Sequence, residues 1–231
     1  MTNGNLRLLF PTPLWEARIG DKALNAKLKE AVYSVEKSDT TFDRKKYPFG
    51  YTSYHSGMRL DADVRFREIT LRVLQEAKKF LVAMQMKKEL DHSILSLRVH
   101  DLFCNINRKY SSHGPHRHEY VDLSAVYYVD VDTDSSEFIA HNPIEPLLMH
   151  TRPHFFADTS PMAQEKWEFR PENGKLLLFP SWMMHEVAQQ RTDHERISLA
   201  FNLGFMERPK DKAAETKMLA ETKDKAIEKA Q

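Results

Sequence analysis

The chain of 231 residues has a single cysteine, Cys104, which excludes an internal disulfide framework and any zinc site built on paired cysteines. It has no apolar run near the roughly 18 residues of a membrane helix. Leu8-Leu9-Phe10 is cut short by Pro11 and Pro13, so the first residues do not read as a signal peptide, and a cytoplasmic protein that engages no membrane is expected. Neither sign of charge is in excess: 34 basic side chains face 33 acidic ones, and a net charge of +1 offers no general attraction for nucleic acid. Neither GxGxxG nor a phosphate-cradling GxxxxGK(S/T) occurs, which removes the usual support for nucleotide binding. Histidine is plentiful by contrast, 11 in all, so a metal site here would rest on imidazole and carboxylate.

Hydrophobic residues at 41% and charged ones at 29% suit a single folded domain. We place it at residues 1–206, with helical support over 21–90, a β-rich core over 93–206 and a charged helical tail over 207–231. Ala23 to Val35 sets Leu24, Leu28, Val32 and Val35 on one stripe behind an Asp21 cap. Asp63 to Met84 does the same with Phe66, Ile69, Leu74, Ala77, Phe80, Leu81 and Met84. The aromatic stretch Thr41 to Tyr54 has no clear period and reads as a packed loop of buried anchors. From Ser93 onward short β-prone runs alternate with turn residues: 94–105, 123–131, 137–140, 167–170, 175–179, 183–187 and 196–205. Helices followed by many short strands imply an α+β fold, a sandwich or barrel with helices packed on one face. In the last run Ile197, Leu199, Phe201 and Leu203 share one face, and Arg196, Ser198, Ala200 and Asn202 share the other.

Three histidines fall within His113-Gly114-Pro115-His116-Arg117-His118, ahead of a strand. On extended backbone residues two apart point the same way, so His116 and His118 can offer two nitrogens to one ion; a solvated basic turn is the plain competitor. His185 follows the apolar run Leu176 to Trp182 and needs a partner, since an unpaired buried imidazole is costly. A metal shared with His116 and His118 would supply it. Eleven residues on comes Arg196, with Ser198 on the same strand face, a fork and hydroxyl suited to a carboxylate. The alternative is a surface arginine paired with Asp193 or Glu195.

These pieces resemble the iron(II) and 2-oxoglutarate dependent oxygenases, in particular the prolyl-4-hydroxylase-like branch. The matching stretches are Leu9-Phe10-Pro11-Thr12-Pro13, Asn105-Ile106-Asn107-Arg108, His116-Arg117-His118 with Ser124 to Val129, Gly174 to Val187, and Glu195 to Asn202. The resemblance implies a double-stranded β-helix, a cupin-like jelly roll, with N-terminal helices on one sheet. It implies His116 and His185 as iron ligands and Arg196 with Ser198 as the clamp for the far carboxylate of 2-oxoglutarate. Tyr128 matches the family's additional carboxylate donor. It also implies Fe(II), 2-oxoglutarate and O2 as the reagents of a dioxygenase that hydroxylates a small-molecule or peptide substrate, with no nucleic acid involved and a homodimer left open. His118 departs from the pattern, which has Asp or Glu there; Glu119 and Asp122 are the other candidates for the third ligand. Two other readings stand: a cupin-type metal enzyme that does not use 2-oxoglutarate, for which Asp122 follows the HxH at a suitable interval, and a jelly-roll binding module without catalysis. Trp182 and the loop 141–163 are candidate substrate walls, with ordinary packing the simpler role.

Overall fold

The first helix starts where its cap predicts. In the computed structural model of the protein, which describes residues 11–85, 95–144, 160 and 164–207, helix α1 spans Lys22–Ser38 and the Asp21 carboxylate accepts from the Leu24 amide at 2.9 Å. Leu24, Leu28, Ala31, Val32 and Val35 form its buried stripe. Helix α2 spans Arg67–Ala83, shorter than the 63–84 expected, because Asp63 caps a separate 3-10 turn over Val64–Phe66. Its buried stripe steps by four from Ile69 to Val73 and Ala77 and ends on Phe80, while Leu74 and Leu81 flank it half-buried. No helix is long and apolar enough, among the described residues, to cross a membrane.

The described residues form ten strands: β1 Trp15–Arg18, β2 Gly50–Thr52, β3 Leu95–Asn107, β4 His113–His116, β5 Leu123–Asp130, β6 Phe138–His141, β7 Lys166–Phe169, β8 Lys175–Pro180, β9 His185–Val187 and β10 Arg196–Glu207. The larger sheet runs β1-β8-β5-β10-β3-β2 and the smaller β4-β9-β6-β7, all pairs antiparallel. β1, β2 and β4 escape sequence reading because they are three or four residues long and lack a period. β2 emerges from the aromatic loop 41–54, in which Tyr51 is buried but Phe49 and Tyr54 are about half exposed.

The two helices cover the outer face of the larger sheet, where Ala125, Tyr127 and Val129 of β5 and Ile197, Leu199, Phe201 and Leu203 of β10 meet the helical stripes. Each Val, Leu, Ile or Phe among them contributes about 1.5–3 kcal/mol on burial. The alternate residues face the smaller sheet: Val126, Tyr128, Leu177 and Phe179 pack with Phe138 and Ala140, and the Phe138 and Phe179 rings lie 5.0 Å apart. The result is the double-stranded β-helix, with helices on one side and a cleft between the sheets on the other. Gly174 closes one corner at φ +81°, where an added Cβ would stand 2.7 Å from the Gly20 carbonyl oxygen. Most of 141–163 and all of 208–231, the expected helical tail, lie outside the described residues.

Candidate metal centre and anion pocket

Strand pairing brings the distant histidines together. His116 ends β4 and His185 begins β9, and the two are register partners. The chain after β4 is then held by a hydrogen bond from the His118 amide to the Ser181 carbonyl at 3.0 Å, which turns His118 over the same point. Ligating atoms of His116, His118 and His185 all lie within 4.8 Å of one another. His116 Nδ1 lies 2.8 Å from the Gly114 carbonyl and His185 Nδ1 2.8 Å from that of Met183. A carbonyl can only accept, so each Nδ1 donates to it and Nε2 is the atom each of these rings has left to offer; such a second contact is what orients metal-binding imidazoles. Burial, with His116 alongside, lowers His118 to about 4 and His185 to about 3, so both rings are neutral at pH 7. The donor set fits a divalent transition ion.

Among the three candidates for the third position, only His118 joins the cluster. Glu119 is exposed and lies 4.0 Å from Arg117. The Asp122 carboxylate accepts from the Phe205 amide at 2.8 Å, at the far end of β10. His113 stacks on His116 with ring centroids 4.3 Å apart but is not in the convergent set. Trp182 is half exposed and does not line the cleft.

Arg196 is the largest fully buried side chain in the described protein. Its Nε donates to the Ser136 carbonyl at 3.1 Å, and its Nη1 donates to Asn107 Oδ1 and Ser198 Oγ, both at 3.3 Å. All three acceptors are neutral, Nη2 has no acceptor, and no carboxylate among the described residues lies within 4 Å. The neighbouring acids are turned elsewhere: Glu195 takes Arg108 at 2.6 Å and Asp193 takes Lys109 at 3.0 Å. Asp130 is removed by a bulge. Register skips Val129 between the pairs Ile197↔Asp130 and Ser198↔Tyr128, so Asp130 faces outward and meets Lys29 at 2.6 Å. A buried guanidinium with a spare N–H pair and no counter-charge is costly unless an anion completes it. Tyr128 stands beside it, its hydroxyl buried and unpartnered and its ring centroid 5.1 Å from the guanidinium carbon. Burial pushes the Tyr128 phenol up to about 12, against the pull of Arg196, so it remains a donor.

Histidines and arginine line one cavity of about 800 Å³. Sequence reasoning misses Asn107, Ser136 and Tyr47, whose hydroxyl accepts from Asn107 Nδ2 at 2.9 Å. Asn107 is the register partner of Arg196 across β3 and β10, a signal that exists only once the strands are paired.

Residues 101–202, which span all of these groups except Tyr47, match the model of a family described as "Putative 2OG-Fe(II) oxygenase". That segment, a little under half of the chain, is similar to the 2OG-Fe(II) oxygenases. Solved structures share its fold at low identity. HygX of Streptomyces hygroscopicus, crystallised with nickel, 2-oxoglutarate and hygromycin B, superposes with a TM-score of 0.55 at 14% identity, over 84% of this chain and 83% of that one. SnoN, an alpha-ketoglutarate dependent epimerase from nogalamycin biosynthesis, does so with a TM-score of 0.57 at 13% identity, over 86% and 79%. AviO1 of Streptomyces viridochromogenes gives 0.55 at 10% identity, over 84% and 90%. No curated protein matches the chain. The double-stranded β-helix thus supplies the frame, and the residues named above decide its chemistry.

Proposed function

We propose that the protein is a non-haem iron(II) dioxygenase that couples oxidative decarboxylation of 2-oxoglutarate to hydroxylation of a second substrate. One observation carries this reading: a buried, unpaired guanidinium lies in the same cavity as three convergent imidazoles, two of which, His116 and His185, turn Nδ1 to a backbone carbonyl and have Nε2 to offer. His116, His118 and His185 hold the metal. Bound there, iron supplies the activation of O2 that turns 2-oxoglutarate, O2 and a C–H bond into succinate, CO2 and an alcohol.

The chain's own part is recognition and order. Arg196 receives the far carboxylate of the co-substrate through Nη2, with the hydroxyls of Tyr128 and Ser198 as further contacts. Asn107 and the Ser136 carbonyl hold the guanidinium plane so that little motion is needed on binding. Phe138 and Phe179 pack against His185 at 5.3 and 4.8 Å between ring centroids and keep water from the cluster. Three neutral ligands leave the charge of a divalent ion uncompensated by protein, so the dianionic co-substrate provides it, and metal retention should depend on 2-oxoglutarate.

Anaerobic protein loaded with iron(II) tests the reading. Addition of 2-oxoglutarate should bring up a visible charge-transfer band, and Arg196→Met, at an iron(II) concentration high enough to fill the metal site without co-substrate, should abolish it. An unchanged band in that variant would remove Arg196 from the clamp. Absence of any band in the wild-type protein would favour an enzyme that does not use 2-oxoglutarate.

A further inference from the structure

A second polar row crosses the inward face of the larger sheet, at the end of the cavity away from Arg196. Register pairs Asn202 of β10 with Asp101 of β3 on one side and with Ser124 of β5 on the other, so the three side chains stand in line. Asn202 is six residues beyond Arg196, about 20 Å along the strand at roughly 3.3 Å per residue, farther than a five-carbon diacid reaches. Between the two rows, Ser198 pairs with Asn105 and Tyr128 on the side of Arg196, and Ala200 with Phe103 and Val126 gives an apolar step before Asn202. A cavity of about 800 Å³ therefore has one pole for the co-substrate and a second, differently charged pole beyond it.

Hydrogen bonds in this second row run one way. Ser124 Oγ donates to Asn202 Oδ1 at 3.2 Å, and Asn202 Nδ2 donates to Asp101 Oδ2 at 3.4 Å. Exchanging the ends of the amide would set its oxygen against the carboxylate, so charge fixes this direction. His100 Nδ1 reaches the same oxygen at 2.9 Å, because a bulge between Asn202 and Leu203 places both His100 and Asp101 at the cavity. Both contacts thus fall on Oδ2. Among the described residues Oδ1 has no hydrogen-bond partner and no lysine or arginine lies within 4 Å of Asp101; Arg59, whose charge it reaches, is held by Asp61 at 2.6 and 2.8 Å.

The Asp101 side chain is 44% exposed at the cavity, so the chain leaves here an acceptor and a negative charge open to a ligand, and the complement that fits both donates and carries the opposite sign. A neutral hydroxyl satisfies the first need and not the second. Phe103 stands two residues along β3 on the same face, and its ring meets that of Tyr54, itself half exposed at the cavity, at 4.9 Å and 64°. Aromatic surface beside a carboxylate suits a cation with a carbon flank. Of the other cations on the cavity wall, Arg117 has Glu119 at 4.0 Å, and Lys46 adjoins Tyr47 at the Arg196 end. We propose that the oxidised substrate carries a positively charged nitrogen, an amine or a guanidine, bound at Asp101 with Tyr54 and Phe103 against its carbon chain. This rests on the dioxygenase reading, which it supplies with a substrate class.

Calorimetric titration of matched probes tests it: butylguanidine against butylurea and pentylamine against pentanol, each into protein carrying zinc and 2-oxoglutarate and into metal-free protein. The charged member of each pair should bind at least about tenfold more tightly, and Asp101→Asn should bring the ratio near one. Tyr54→Ala, at a half-exposed position that does not threaten folding, should weaken the charged probes several-fold and leave the neutral ones unchanged. Equal binding of both members, a preference that survives Asp101→Asn in a variant that unfolds cooperatively, or no binding of any charged probe at about 10 mM would overturn the proposal. The same titrations report 2-oxoglutarate binding. If 2-oxoglutarate fails to bind while amines bind, the dioxygenase reading falls and the cation site stands. If it binds and amines do not, only the cation site falls.

Discussion

Arg196→Met should have opposite consequences with and without the co-substrate. In the free protein the guanidinium gives three long hydrogen bonds to neutral acceptors, at 3.1, 3.3 and 3.3 Å, and leaves Nη2 unpaired. Bonds of this kind contribute about 1.5–3 kcal/mol each at best. Burying an ion without a counter-charge costs several kcal/mol, so the two terms nearly cancel. The variant should therefore fold with stability within about 2 kcal/mol of the wild type, and a gain would be no surprise. With 2-oxoglutarate present the balance changes. Truncating one partner of a buried charged pair costs about 2–5 kcal/mol, which weakens binding roughly 30- to 4,000-fold. At a concentration 100 times the wild-type Kd, 2-oxoglutarate stabilises the wild type by about 2.7 kcal/mol. For a chain of this length that raises Tm by about 5–11 °C. The variant at the same concentration should gain at most about 0.9 kcal/mol, roughly 2–4 °C. Thermal unfolding with manganese(II), with and without 2-oxoglutarate, reads both quantities. A variant that keeps the full shift, or loses more than about 3 kcal/mol without ligand, would refute the account of an arginine kept unpaired for an anion.

Three further outcomes follow from named side chains. His118→Asp supplies the missing negative ligand and should tighten manganese(II) binding in the absence of 2-oxoglutarate by about tenfold or more; unchanged affinity by calorimetry would take position 118 out of the metal set. His185 and His118 titrate at about 3 and about 4 in the fold, against about 6.5 when unfolded, so the unfolded chain takes up protons first as the pH drops. Stability of the metal-free protein is thus intact above pH 6.5 and lost as pH falls toward 4, by about 2 kcal/mol at pH 5 from His185 alone; urea midpoints at pH 7 and pH 5 that coincide would contradict this. Cys104 is fully buried and its thiol is pushed up to about 12 by burial, so a disulfide reagent at pH 8 should find no reactive thiol in the native protein and one per chain in denaturant.

Much of this protein is legible in the residues alone. Period 3.6 with an Asp21 cap specifies α1, and period 2 in 196–203 separates the helix-facing Ile197, Leu199, Phe201 and Leu203 from the inward Arg196, Ser198, Ala200 and Asn202. Both are local consequences of backbone geometry, so no partner is needed to see them. The HxH at 116–118 and the lone histidine in an apolar run at 185 are visible for the same reason. Which atoms meet is a different matter. That Glu119 turns to solvent, that Asp122 is taken by Phe205, and that Asp130 is carried outward by a bulge depend on how β4, β5, β9 and β10 pair. The same holds for Asn107 opposite Arg196 and Asp101 opposite Asn202, partners roughly a hundred residues apart in the chain. Side-chain direction is written in short-range periodicity, whereas the sign of charge left unpaired in a cavity is a sum over strands, and only the folded sheet performs that sum.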